Sequence, residues 1–132
     1  EMVSLIHEDD RALAFMDVQP VSAGHTLVVS RDHHPTLFEV PDGVASHCIE
    51  LARRIGTAVA RTTDADAVNL FCANGRAGGQ DVPHFHLHLI PVRSGQDFAL
   101  QLPMEDAPIP SRSELDIMAA RIGRAIQEAN NR

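Results

Sequence analysis

Apolar and polar residues along the chain fall into short strand-like runs, set apart by turn residues, and two longer stripes of helical spacing. Val3-Ser4-Leu5-Ile6-His7 and Ala12-Leu13-Ala14-Phe15-Met16 predict two strands, paired as a hairpin across the charged turn Glu8-Asp9-Asp10. Pro20 and Gly24 make Asp17 to Gly24 a loop. His25-Thr26-Leu27-Val28-Val29-Ser30 is β-branched and apolar enough for the interior of a sheet. Residues 31 to 40 are irregular, with Pro35 and Pro41 as breakers. A helix is then expected from an N-cap at Asp42 to about Thr62, with Val44, Cys48, Leu51, Ile55, Ala58 and Val59 on one apolar stripe. Arg53, Arg54 and Arg61 lie off that stripe, as a solvated surface would. Ala67 to Cys72 predicts a fourth strand, and His84-Phe85-His86-Leu87-His88-Leu89-Ile90 a fifth that runs to Pro91. After a proline-punctuated connection over 93 to 112, Ser111-Arg112-Ser113-Glu114 matches a capping box. The last helix runs to about Asn130 and is expected to bury Leu115, Met118, Ala119, Ile122 and Ile126. The fold class predicted is a small α+β domain: a five-stranded antiparallel sheet in meander order, one long central helix and a C-terminal helix.

Length and charge narrow the classes. The 132 residues fit a single domain with one core. The net charge of −7 argues against a duplex nucleic-acid partner, which needs a basic face, but not against a small phosphate ligand held by local donors. Cys48 and Cys72 are the only cysteines and sit in apolar contexts, so free thiols, a reducing compartment and a cytoplasmic location are expected. No run approaches the roughly 18 apolar residues of a membrane span, and no secretory signal is present. The chain opens on Glu1-Met2, which leaves room for a missing N-terminal piece.

The fifth strand carries the chemistry. Strand side chains alternate between faces, so His84, His86 and His88 are expected on one face, spaced by roughly 6.6 Å, with Phe85, Leu87 and Leu89 packed on the other. Three readings of those imidazoles compete. They are satisfied structural histidines; or ligands of a metal ion in a metal-dependent enzyme, with His25, His33 or His34 completing the set; or a nucleophile with its helpers, since neutral imidazole attacks phosphorus readily near neutral pH. The preceding loop, Asn74-Gly75-Arg76-Ala77-Gly78-Gly79-Gln80, favours phosphate chemistry. Its glycines let backbone N–H groups approach an anion, and the Gln80 amide is placed to donate to a phosphate oxygen.

These residues resemble a known family. His84-Phe85-His86-Leu87-His88-Leu89-Ile90 matches the His-φ-His-φ-His-φ-φ signature of the histidine triad (HIT) superfamily, and Gly79-Gln80-Asp81-Val82-Pro83 its Gly-Gln-x-Val segment. Phe15 to Pro20 and Gly24 to Val29 resemble the strand and loop on its nucleoside side. The resemblance covers about residues 3 to 130 and implies a HIT-like fold over the single domain 1–132, as in bacterial HIT-like nucleotide hydrolases. It implies a hydrolase or transferase acting at the α-phosphate of a purine nucleoside phosphate conjugate through a nucleotidyl-histidine intermediate. The substrate would be an adenosine phosphoramidate, such as AMP-lysine, or a dinucleoside polyphosphate. Arg93 to Phe98 resembles the second branch, and Asp17 is found more in the first.

Roles carry over residue by residue. His86 matches the nucleophile, His84 the residue whose carbonyl orients it, His88 the residue that binds phosphate and assists the leaving group, and His25 a histidine beside the triad. Asp17 matches the grip on the ribose, Phe15 and Val18 the base pocket, and Gly79, Gln80, Asp81 and Val82 the phosphate-binding turn. Where relatives carry a phosphate-binding Asn or Gln, this chain has Ala73, and Asn74 serves only if the loop shifts. Asp81 stands where relatives often have Ser or Thr, so its backbone N–H is the contribution carried over. Some bacterial members hold zinc with a Cys-x-x-Cys pair, a histidine after the third strand and the first triad histidine. Here His33 or His34 and His84 remain without the cysteines, so no metal and no cofactor are expected. A homodimer is implied, pairing the long helix and a sheet edge across a two-fold axis. A non-catalytic nucleotide sensor is the remaining alternative.

Overall fold

The computed structural model describes residues 2–96 and 106–131. The chain divides into two compact units, Glu1–Asp97 and Phe98–Arg132. In the first, β1 (Leu5–Glu8), β2 (Ala12–Met16), β3 (Thr26–Ser30), β4 (Ala67–Phe71) and β5 (His86–Val92) form one antiparallel sheet, and α1 (Asp42–Thr63) lies between β3 and β4 in sequence. In the second, α2 (Arg112–Asn130) is the helix described. The α+β class and all five expected strands are therefore present.

The strand order is β1-β2-β3-β5-β4, not a meander. The long α1 connection carries the chain past the sheet, so β4 forms the edge and β5 returns by a hairpin into the gap beside β3. The histidine strand is thereby central, hydrogen-bonded on both sides. It also begins two residues later than the alternation suggested. The N–H of His84 turns back to the Val82 carbonyl (2.8 Å), and that of Phe85 donates to the His34 carbonyl (2.7 Å), outside the β3 ladder. His86 and His88 share the strand face, while His84 belongs to the approach. The side-chain alternation nonetheless holds: Phe85, Leu87 and Leu89 are buried, and the histidines between them are half-buried.

One face of the sheet packs on α1. Cys48, Leu51, Ala52, Ile55 and Val59 of the helix meet Ala12, Ala14, Val28, Phe85, Leu87 and Leu89 in the core. Ala52 takes the buried place expected of Ala58, which is exposed, and Val44 packs half-buried at the core's margin. Arg53, Arg54 and Arg61 are exposed, as their positions off the stripe imply. The N-cap is Pro41 rather than Asp42. Asp42 is the first helical residue and makes no side-chain cap, but its charge suits the positive end of the helix. The helix stops at Asp64, whose left-handed backbone (φ 53°) returns its N–H to the Ala60 and Arg61 carbonyls.

The charged turn at Asp9 has a structural use. One carboxylate oxygen takes the Arg11 and Ala12 N–H groups (2.8 and 2.9 Å), and the other takes Nε2–H of His7 and of His47 on α1 (2.7 Å each). Burial raises the carboxyl, but these four donors outweigh it and hold Asp9 well below the usual carboxylate range. Cys48 and Cys72 are free thiols, and burial pushes Cys48 up to about 11.

At α2 the Ser111 hydroxyl accepts the Glu114 N–H (3.1 Å), as a capping residue should. The expected burial of its apolar stripe is not found. Leu115, Met118, Ala119, Ile122 and Ile126 are all exposed, because the described residues of that unit contain no second helix or strand for the stripe to pack on.

Gly24 fixes the approach to β3. Its φ of +98° suits glycine, and a Cβ there would lie 2.5 Å from Thr63 Cγ2 and 3.3 Å from Pro91 Cγ. Gly24→Ala is expected to destabilise the fold by about 2 kcal/mol or more. Thermal denaturation measures this, and a wild-type melting point would show that helix and strand can yield there.

Candidate active site

The sheet face turned away from α1 carries the histidines. Register sets Phe15, Leu27, His88 and Phe71 in one row across β2, β3, β5 and β4, and Leu13, Val29 and His86 in the next. The His86 and His88 rings meet edge to face, with centroids 4.8 Å apart, and Phe71 leans on His88 at 5.6 Å.

Backbone groups assign the protons on these rings. His86 Nδ1 lies 2.7 Å from the His84 carbonyl oxygen, which can only accept, so Nδ1 carries the proton and Nε2 presents a lone pair. His84 Nε2 lies 2.7 Å from the Ser30 carbonyl and donates to it by the same logic. The His84 side chain thus faces β3 and His33, and its backbone carbonyl is the part that touches His86. His25 is buried at the start of β3, with Nε2 2.9 Å from His88 Nδ1 and 3.4 Å from Asp17 Oδ2. Burial lowers His25, with Asp17 opposing. Burial, then the charges of His86 and His25, push His88 down to about 4. His88 is therefore a neutral donor or acceptor above that range, and burial favours the neutral form of His25 as well.

The loop residues divide between expectation and surprise. Asp17 Oδ1 accepts the Gln19 N–H (2.8 Å), leaving Oδ2 toward His25. Phe15 is half-buried in the His88 row, and Val18 is exposed at the rim. The Gln80 side chain has a structural use that its type did not announce. It is buried, its carbonyl accepts the Gly75 N–H (2.8 Å) and its NH2 donates to the Pro35 carbonyl (2.6 Å), so both ends of the amide are tied to backbone. Asn74 is likewise engaged: it accepts the Leu37 N–H (2.8 Å) and contacts Cys72. The N–H groups of Gly78, Gly79 and Gln80 close onto the carbonyls of Gly75 and Arg76. Among the described residues, the N–H groups of Asp81 and Val82, at the end of the loop, have no acceptor. The glycine loop and residues 30–37 are thereby laced together, which composition could not reveal; the two amides sit among turn residues that usually face water. Asp97 and Phe98, from the segment after the strand, lie outside the described residues.

Two histidine groupings test the metal reading. Asp17, His25 and His88 bring ligand atoms within 4.8 Å of one another. However, the Val21 N–H donates to His25 Nδ1 (3.0 Å), so Nε2 holds the ring's proton and has no lone pair for an ion. His33 Nδ1 and His84 Nδ1 face each other at 3.3 Å, but among the described residues no cysteine or carboxylate joins them in a ligand group. Two imidazoles alone do not fit a structural zinc site.

A small α+β domain with tautomer-fixed imidazoles on the open face of a central strand is a defined class. A protein-family model described as the HIT domain matches residues 3–95. The chain belongs to that family. It is 38% identical over 86 residues to adenylylsulfatase HINT3 of Arabidopsis thaliana, covering 65% of this chain and 44% of that protein. Adenosine 5′-monophosphoramidase HNT1 of Saccharomyces cerevisiae is 34% identical over 86 residues, 65% of this chain and 52% of its own length. The chain thus spans about half the length of these two relatives. A crystal structure of a HIT family protein from Bacillus anthracis superposes with a TM-score of 0.87 at 32% identity, covering 95% of this chain and 89% of that one.

Gln80→Ala is expected to cost about 2 kcal/mol, since it removes a buried amide that pairs with both the Gly75 N–H and the Pro35 carbonyl. Gln80→Glu should not restore stability, because a carboxylate would then face the Pro35 carbonyl. Urea unfolding of both variants checks this; a Gln80→Ala midpoint equal to wild type removes the lacing role.

Proposed function

We propose that the chain is a nucleotidyl hydrolase or transferase that attacks the α-phosphate of a purine nucleoside phosphate conjugate. The observation that carries this is the hydrogen bond from His86 Nδ1 to the His84 carbonyl, which leaves Nε2 as a nucleophile on an accessible face. His86 Nε2 forms a bond to phosphorus as the bond to the leaving group breaks in line; the neutral His88 Nε2–H donates a hydrogen bond to the leaving atom, which takes its proton from water. Water then attacks phosphorus of the nucleotidyl-histidine, the bond to His86 Nε2 breaks, and the nucleoside monophosphate is freed as one proton of that water passes to solvent. The N–H groups of Asp81 and Val82 lie on the loop that leads to the histidines and are available to the phosphate oxygens. Asp17 Oδ2 suits a ribose diol, with Phe15 and Val18 toward the base. The names of the Arabidopsis and yeast relatives point to adenylyl transfer with different leaving groups, so an adenosine phosphoramidate leads, with dinucleoside polyphosphates as the second class.

The two tests are His86→Ala turnover and adduct trapping. On an adenosine phosphoramidate and on diadenosine polyphosphate, His86→Ala should lose about a thousandfold or more of kcat. Mass spectrometry of quenched wild type should find a nucleotidyl group on His86. Full activity of His86→Ala on a substrate that wild type cleaves rules out this nucleophile.

The homodimer is proposed on the same footing. A groove of about 400 Å³ lined by Ile49, Ala52, Gly56, Val68, Leu70 and Leu89 runs between α1 and the edge strand β4, where Leu70 is half exposed. A second copy would cover both edge and groove. No described helix is long and apolar enough to cross a membrane. Light scattering should give twice the 14.4 kDa chain mass, and Leu70→Asp should shift it toward one; a monomeric wild type at micromolar concentration sinks the dimer.

A further inference from the structure

We propose that the backbone N–H of Val21 is a positioning group for the reaction, setting through the His25 ring which nitrogen of His88 carries the proton. The chain of donors runs in one direction. Val21 N–H donates to His25 Nδ1 over 3.0 Å, so His25 must be the Nε2–H tautomer. That Nε2–H has two acceptors, His88 Nδ1 at 2.9 Å and Asp17 Oδ2 at 3.4 Å, and the nearer is His88. With Nδ1 accepting, neutral His88 carries its own proton on Nε2. A neutral His88 that is to donate a hydrogen bond to a departing oxygen or nitrogen needs that tautomer.

The scaffold holds the first donor in place. The Ser22 hydroxyl donates to the Pro91 carbonyl on β5 (2.5 Å), the His25 N–H returns to the Ser22 carbonyl (3.1 Å), and Gly24 packs against Thr63 and Pro91. The Val21 side chain is 73% exposed, so this residue's place in the site rests on its main chain. Asp17 and Val21 share one loop. A displacement of that loop at its nucleoside end therefore reaches the proton on His88, and Asp17 is the competing acceptor should His25 lose its hold on His88.

The kcat arm of the test rests on the proposed nucleotidyl transfer; the tautomer arm is read on the free protein and needs no reaction, so the two fail separately. Val21→Pro deletes the donor. His25→Leu deletes the relay, and His25→Gln retains an N–H donor able to reach His88. Nitrogen-15 NMR of the full chain should show His88 with protonated Nε2 in wild type and His25→Gln, and a shift toward protonated Nδ1 in Val21→Pro and His25→Leu. In those two, kcat should fall about tenfold or more with KM nearly constant, and His25→Gln should recover most of the loss. Folding is verified by circular dichroism, and the His25 pair stands alone if Val21→Pro does not fold. The proposal is overturned if His88 keeps Nε2–H in the folded Val21→Pro or His25→Leu protein, or if its tautomer shifts while kcat does not.

Discussion

A neutral imidazole has one proton for two nitrogens, and the chemistry of this site depends on which nitrogen holds it. Main-chain groups make that decision here. The His84 carbonyl takes the proton of His86 Nδ1, the Ser30 carbonyl that of His84 Nε2, and the Val21 N–H occupies the lone pair of His25 Nδ1. Main-chain groups are the least mobile in the fold, so each ring is held in one tautomer without a carboxylate as orienter. The nearest carboxylate, Asp17, stands beside His25 and not beside the nucleophile candidate.

That control requires the histidine strand to be central. Because β5 inserts between β3 and β4, Leu27 and Ser30 of β3, with His25 just before that strand, flank it on one side and Phe71 on the other. On an edge, the same sequence would expose His88 to water and lose the burial that keeps it neutral. The α1 layer beneath supplies the rigidity: Phe85, Leu87 and Leu89 are locked in the core, and each fixes the histidine next to it in sequence. The loop before the strand completes the support. Gln80 and Asn74, two amides that look like ligands for an anion, are used to lace the loop to residues 35 and 37.

Much of this was legible in the chain alone. Period-two alternation from Phe85 to Leu89 is a local property, so the division into core and site residues follows from strand geometry. The α1 stripe likewise named four of the five helix residues that are buried, Cys48, Leu51, Ile55 and Val59, with Ala52 the one added. The His86–His84 hydrogen bond spans only two residues, so it too lies within the reach of a local pattern. By contrast, Gln80 reads as a site residue by type and position, and only its burial and two backbone partners reveal a structural use. Asp42 reads as a cap, but Pro41 already stands where the cap belongs.

Sequence by itself determined what short range can encode: the five strands, the buried stripe of α1, the spacing of the histidines and the glycine loop before them. Tertiary structure decided strand order, the departure of His84 from the sheet, the partners of Gln80 and Asn74, and the Val21–His25–His88 contact. Each of those joins residues far apart in the chain, or turns on whether a backbone group already has a partner. Hydrophobic period and residue type carry no record of either. The physical reason is that a buried polar group must find a partner wherever the fold brings one, and the partner is a property of the packed chain.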